Sequence, residues 1–284
     1  MESRTYFYSG LRTDPAGCRL EAGMTLGNGQ ITIGSSIAEG GHCTIFEVVD
    51  NFTGRKCVAK VPGGAACDIA TARALLEAEI KAYRLIGGHE NLLDVLGVLE
   101  EPWADSSLLV LVLQYAAFGS LRDWLNRYRS EHQHRLRCGK DLFRQICRGV
   151  SHMNRRGFAH GDLKPENLLF LEPETIALSD LGCACPLQGF SLARPLGEAH
   201  FIAGTPEYIS PELLYRRIAS PTARSDVYSI GCTAHEIFSR DAIRPSQRFR
   251  EPWRNVNAIL HSLLVEGVPE RIATVISSCL EEPR

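Results

Sequence analysis

Three observations predict an α+β fold. Apolar residues alternate from Ile31 to Val49 and return in short apolar runs as far as Leu113, a strand-like pattern. Helical spacing interrupts that half once, at Thr71–Ile86, and then governs the chain from Leu136 onward. Between the longest helix pattern and the next lies a polar run, HGDLKPEN at His160–Asn167, set between apolar segments. Strands gathered ahead of helices argue for a small antiparallel sheet with one main helix, followed by a larger, mainly helical part.

The composition bounds the partners. The chain has 284 residues, 44% of them hydrophobic, which is enough for one large or two ordinary cores. Net charge is −2, so no global basic field argues for nucleic acid or an anionic membrane. Of 31 basic residues only Lys56, Lys60, Lys81, Lys140 and Lys164 are lysines, a bias ascribed to genome base composition rather than to phosphate recognition. The 10 cysteines include no CxxC pair, so no zinc framework is read, and Cys43 at a turn is taken as an inert small residue. The N-terminus lacks the apolar core of a signal peptide, and the longest strongly apolar run, Leu108–Leu113, is far short of the ~20 residues a membrane span needs. Reduced thiols in the cytoplasm, or the nucleus, are expected.

In chain order, residues 1–30 are polar and rich in glycine, and read as an extension, partly disordered or draped over the first part of the fold. Ile31, Ile33 and Ile37 lead into a small-residue turn, Ala38–Cys43, and Ile45, Phe46, Val48 and Val49 follow, giving a hairpin. Cys57-Val58-Ala59-Lys60-Val61 is the next strand, ended by Pro62-Gly63-Gly64. A lysine inside an apolar strand is costly unless paired. The helix over Thr71–Ile86 carries Glu79, and Glu77 two residues away lies about 200° round it, so both cannot face one partner. Leu92–Leu99 and Leu108–Leu113 read as strands, with Glu100–Ser107 as their turn. Ser120 caps a short helix. Leu136–Met153 is one face of a long helix, stopped by Gly157. Ser225 is the expected N-cap of a mostly apolar helix, and residues 245–264 and 269–280 are expected helices.

Two stretches carry chemistry. Asp162, Lys164 and Asn167 stand two and three residues apart in one loop, and Asp180 closes the apolar run Ile176–Leu178, followed by Leu181-Gly182. A carboxylate to orient a hydroxyl, a cation for a moving phosphoryl group and oxygen ligands for magnesium are the needs of phosphoryl transfer.

At these residues the chain resembles the eukaryotic-type protein kinases, in their Ser/Thr branch, over roughly residues 31–284: His160–Asn167 is similar to their catalytic loop and Asp180-Leu181-Gly182 to their magnesium-binding turn. The resemblance implies the bilobal protein kinase fold, with residues 31–114 as the sheet-bearing N-lobe and 115–284 as the helical C-lobe. It implies ATP and Mg2+ as cofactors and a protein substrate. It makes Asp162 the group that orients the substrate hydroxyl, Lys164 the cation, Thr205 their bridge, and Asn167 and Asp180 the metal ligands. Lys60 would meet the nucleotide phosphates and Glu79, with Glu77 as competitor for that partner. Ile37, Gly40, Gly41 and Ile45 would surround the nucleotide, Leu113 would guard the pocket, and Gln114 and Ala116 would offer backbone groups to the adenine. The residue matching Asp226 holds the catalytic loop, and His160 is a packed structural histidine. An arginine near the chain's end would pair with Glu212, with Arg284 as candidate.

The chain departs from the family in three places. Ala38 and Cys43 replace two of the three loop glycines, Leu181 replaces a phenylalanine, and Gly161 stands where most relatives carry an arginine that meets an activation-loop phosphate. Activity is therefore expected not to depend on phosphorylation of that loop. Ser191 is the only hydroxyl between Gly182 and Gly204, so Ser191→Ala should leave the rate of phosphate transfer nearly unchanged. A pseudokinase or scaffold is the alternative class, motivated by the worn glycine loop, the missing arginine and the chain's early end. A small-molecule kinase fits less well with Gly204–Tyr208 and Ser210-Pro211-Glu212, which resemble a protein-substrate platform. A regulatory partner is left open.

Overall fold

The alternation that begins at Ile31 builds a six-stranded antiparallel sheet in a computed structural model that describes residues 20–63, 68–103, 106–187, 205–239 and 256–281. The strands are β1 (Thr25–Leu26), β2 (Ile31–Glu39), β3 (Cys43–Asp50), β4 (Lys56–Pro62), β5 (Val95–Trp103) and β6 (Ser106–Gln114), in the order β1-β2-β3-β4-β6-β5. Ile33 pairs with Val48, Ile45 with Lys60, and Lys60 with Leu111. Side chains alternate across a sheet. Cys57, Ala59 and Val61 therefore enter one core with Ile31, Ile33, Phe46, Val48, Val110 and Val112, which sends Lys60 to the opposite face.

The chain folds as two compact units, one of residues up to Arg84 with Leu93–Tyr115, the other of Leu85–Leu92 with the remainder. In the first unit, helix α1 (Ile69–Ile86) buries Ala72, Leu76, Glu79, Ile80 and Tyr83 along one stripe. Of the expected extension, residues 20–30 lie on the sheet: β1 pairs with β2, and Leu20 and Leu26 are each 1% exposed in its core. Residues 1–19 lie outside the described residues. One expectation is corrected here: within the turn expected at Glu100–Ser107, residues 100–103 and 106–107 are strand, paired Glu100↔Leu109, Glu101↔Leu108 and Pro102↔Ser107, and residues 104–105 lie outside the described residues. Arg73 on α1 clamps both strands, its guanidinium donating to Glu100 Oε1 at 2.7 Å and to the Ser107 carbonyl at 2.7 Å. A polar strand end held by side-chain bonds shows no apolar alternation.

In the second unit, α2 (Leu121–Arg127) opens on a capping box: Asp123 N–H donates to Ser120 Oγ, while Ser120 N–H donates to the Asp123 carboxylate at 2.8 Å. The Ser120 hydroxyl and amide hold the Asp123 carboxyl below its ordinary range. A lowered folded-state value means that this contribution is present above the unfolded value and is lost as pH falls through the folded one. Ser120→Ala should cost about 1 kcal/mol. The difference from the native chain should shrink as pH drops below about 4, where Asp123 begins to protonate in the unfolded chain before the folded one; equal loss at pH 3 and pH 7 in denaturant melts would refute the pairing.

Helix α3 (His132–Arg155) ends where Gly157 takes φ +84°, a left-handed stop suited to glycine. It packs on the hairpin β8 (Leu168–Glu172) with β9 (Thr175–Leu178), and on α5 (Ala223–Phe238). Two short strands, β7 (Phe158–Ala159) and β10 (Cys185–Pro186), pair with each other. A single turn α4 (Pro211–Leu214) precedes α5, and α6 (Val256–Val265) and α7 (Glu270–Cys279) follow. Part of the expected helix over residues 245–264 falls at 245–255, outside the described residues.

The N-cap of α5 is Thr222, not Ser225. Ser225 is the third helical residue, and its N–H donates to Thr222 Oγ1 at 3.1 Å while Thr222 N–H donates to Ser225 Oγ at 2.8 Å. Two hydroxyl residues three apart both serve the cap, and spacing alone does not say which comes first. Among the described residues no helix is long and apolar enough to cross a membrane.

Candidate active site

The catalytic-loop residues converge within one unit. The 3₁₀ turn Pro165–Asn167 follows Lys164 and feeds β8, so Asp162, Lys164 and Asn167 are held by a short, constrained path. Lys164 Nζ donates to Asp162 Oδ2 at 2.7 Å and to Thr205 Oγ1 at 2.6 Å, and Thr205 Oγ1 donates to Asp162 Oδ1 at 2.8 Å. The closed triangle fixes both carboxylate oxygens of Asp162. Asn167 Nδ2 donates to the Asp162 carbonyl at 2.8 Å and to Oδ2 at 3.1 Å. With its nitrogen spent, Asn167 has its amide oxygen left for a hard cation, which fits magnesium.

Asp180 is tied into the same framework. The N–H and hydroxyl of Ser179 both donate to the Asn167 carbonyl, at 2.9 and 3.0 Å, which sets the next residue beside the loop. Asp180 is left-handed, φ +59°, an angle that aspartate tolerates better than most residues and that turns the chain sharply at the end of β9. Leu181, in place of the expected phenylalanine, is 1% exposed and keeps that turn packed. Among the described residues no group of three or more His, Cys, Asp or Glu is placed to hold a metal by side chains alone.

The loop is anchored from beneath by α5. Asp226, 1% exposed, accepts from His160 N–H at 2.8 Å and Gly161 N–H at 3.0 Å. Burial pushes its carboxyl above the ordinary range, opposed by His160 and these two backbone bonds. His160 is fully buried, accepts from Asp162 N–H at Nδ1 and so presents Nε2–H to the Ser179 carbonyl at 3.1 Å. Both ring nitrogens are used in holding the loop, the structural part expected for it.

Gly161 explains its own identity. Its φ is +81°, and a Cβ there would stand 2.5 Å from the Cys183 carbonyl oxygen and 2.9 Å from Pro221 Cγ. Introducing an arginine there, Gly161→Arg, should therefore destabilise rather than activate. Left-handed strain alone costs about 1–2 kcal/mol. A fall in Tm of about 4 °C or more, with lower activity, is expected from a melt and a rate assay; an unchanged Tm with raised activity would contradict the crowding argument.

In the first unit the buried lysine of β4 finds its partner: Lys60 Nζ lies 2.7 Å from Glu79 Oε2, with the residues 8% and 2% exposed. The competitor Glu77 faces solvent and pairs with Arg73 at 3.0 Å. The turn between β2 and β3 is closed by Gly40 N–H donating to the Cys43 carbonyl at 2.8 Å, with Gly40 and Gly41 exposed. Ile37 is 51% exposed and Ile45 half-buried. Gln114 N–H already donates to the Asp94 carbonyl at 2.9 Å, so what Gln114 can offer an adenine is its carbonyl. Leu113 is buried and Ala116 half-buried. Ser191, Gly204 and Arg284 lie outside the described residues, and Glu212 is buried.

Sequence reasoning missed one cluster. Arg122 on α2 donates through Nε to Glu166 Oε1 at 2.7 Å, through Nη1 to Glu236 Oε2 at 2.7 Å, and through Nη2 to Tyr208 Oη at 2.5 Å. Tyr208 in turn donates to Glu236, and burial together with Glu236 raises its phenol above the ordinary range. Ser229 Oγ holds the Tyr208 carbonyl at 2.8 Å. Four separate segments supply these groups, so no local spacing announced them; the half-buried, doubly acidic surroundings of one arginine appear only in the fold.

A carboxylate, an ammonium and a hydroxyl locked together beside the Asn167 amide are an inventory suited to phosphoryl transfer. The chain belongs to the protein kinase family: residues 31–282 match its protein kinase domain. It is similar to CBL-interacting protein kinase 11 of Oryza sativa subsp. japonica, 29% identical over 209 residues, covering 74% of this chain and 39% of that protein. It is also similar to the serine/threonine-protein kinase PKH2 of Candida albicans, 29% identical over 214 residues, 72% of this chain and 21% of that one. CBL-interacting serine/threonine-protein kinase 21 of Arabidopsis thaliana is 27% identical over 212 residues, 74% of this chain and 47% of that one. These matches span less than half the length of each relative.

Proposed function

We propose that this chain transfers the γ-phosphate of ATP to serine and threonine hydroxyls of proteins. The observation that carries this reading is the Asp162–Lys164–Thr205 triangle: a carboxylate aimed by a hydroxyl on one oxygen and an ammonium on the other. Asp162 accepts or orients the proton of the attacking hydroxyl. Lys164 offsets negative charge on the group in transfer, and Thr205 keeps the two in register and belongs to the substrate platform. Asn167 and Asp180 hold Mg2+, which when bound neutralises the phosphates. Lys60, set by Glu79, holds the nucleotide phosphates. Ile37, Gly40, Gly41 and Ile45 line the nucleotide, with Gln114 and Ala116 presenting backbone to the adenine.

The worn glycine turn at Ala38–Cys43 favours a second reading, a nucleotide-binding scaffold with little transfer. Both are tested by incubation with Mg-ATP and a mixture of Ser-, Thr- and Tyr-containing peptides, followed by phosphoamino-acid analysis. Phosphoserine and phosphothreonine are the expected products. Phosphotyrosine as the main product would overturn the acceptor assignment, and bound ATP without any phosphopeptide would favour the scaffold.

A further inference from the structure

The outer face of α3 carries Arg137, Lys140, Arg144, Arg148 and Arg155, all exposed. At 100° per residue they fall within about 60° of one line, and at 1.5 Å per residue that line is about 27 Å long. Asp141 is the only acidic residue on the helix. Arg144 meets Asp141 at 2.7 Å and Arg148 meets Glu90 at 3.5 Å, all four side chains being half exposed or more, so solvent-screened pairing leaves both arginines open to exchange.

Midway along the line a cavity of about 290 Å³ opens beside Arg144 and Arg148, lined also by their partners Asp141 and Glu90 and by Asn91, Gln145 and Thr175. Asn91 is 1% exposed. Its Nδ2 donates to Gln145 Oε1 at 3.2 Å and to the Ile176 carbonyl at 2.8 Å, while its Oδ1 has no hydrogen-bond partner among the described residues. A buried carbonyl oxygen without a donor is costly.

We propose that this stripe and its cavity dock an acidic peptide segment of a partner protein. Carboxylates answer the row of cations left open to exchange along the helix. An extended chain of about eight residues spans the stripe. A nucleic acid fits less well, because the chain as a whole carries net charge −2 and gives no long-range attraction to a polyanion. A lipid surface fits less well, because no large hydrophobic side chain of α3 is exposed to insert.

The test is fluorescence anisotropy of a labelled glutamate-rich peptide of about eight residues, beside its glutamine counterpart, without nucleotide, so that the outcome does not depend on phosphate transfer. Saturable binding of the acidic peptide is expected, weakening as salt rises from about 50 to 200 mM. Arg144→Glu/Arg148→Glu should weaken it about tenfold or more, while Arg55→Glu/Arg271→Glu, elsewhere on the surface, should not; melts of both variants confirm that they fold. Absence of saturable binding, equal binding by the Arg144/Arg148 variant, or equal binding of the glutamine peptide would overturn the proposal. So would a stripe-dependent preference for a DNA duplex or for phosphatidylserine vesicles over the peptide.

Discussion

Asp162→Asn should reduce phosphate transfer by a factor of about 10²–10⁴. Both oxygens of the native carboxylate are engaged, one by Thr205 and the other by Lys164 and Asn167. Asparagine keeps the shape but offers one acceptor instead of two and removes the charge that draws a hydroxyl proton. None of the groups proposed to hold the nucleotide is altered, so affinity for Mg-ATP should survive. Turnover and ATP affinity measured on the same preparation separate the two. A variant that transfers phosphate at the native rate would remove Asp162 from the chemistry, and one that loses ATP binding as well would make its role structural.

The second large effect concerns stability. Lys60 and Glu79 form a pair almost out of water, at 2.7 Å. Removing one partner strands a buried charge, so Glu79→Ala should cost about 3–5 kcal/mol. The double substitution Lys60→Met/Glu79→Leu should restore most of that loss, because an apolar pair of similar volume replaces a pair that had to be desolvated. Urea melts of the two single variants and the double close the cycle. A cost below about 1 kcal/mol for Glu79→Ala would mean that the pair is solvated and weak.

How much of this was legible in the sequence depends on how local each feature is. The catalytic loop is contiguous, so its residue types and spacing could be read directly. Lys60 stood out because a charged residue interrupts an apolar strand in a chain with few lysines. The choice of Glu79 over Glu77 is settled in the fold by the stripe of α1 and by Arg73, which draws Glu77 outward. The Arg122–Glu166–Tyr208–Glu236 cluster was invisible because its members come from four segments. The strand ends at Glu100–Ser107 were missed because Arg73, not apolar alternation, secures them. Leu20 and Leu26 were lost among glycines, since two isolated apolar residues make no period.

The most direct measurement is transfer of labelled γ-phosphate from ATP to a serine- and threonine-containing protein substrate, with magnesium and with the metal chelated. The account predicts transfer that requires magnesium and is carried by the native chain. Nucleotide binding that depends on magnesium, accompanied by no transfer to any protein substrate, would contradict it.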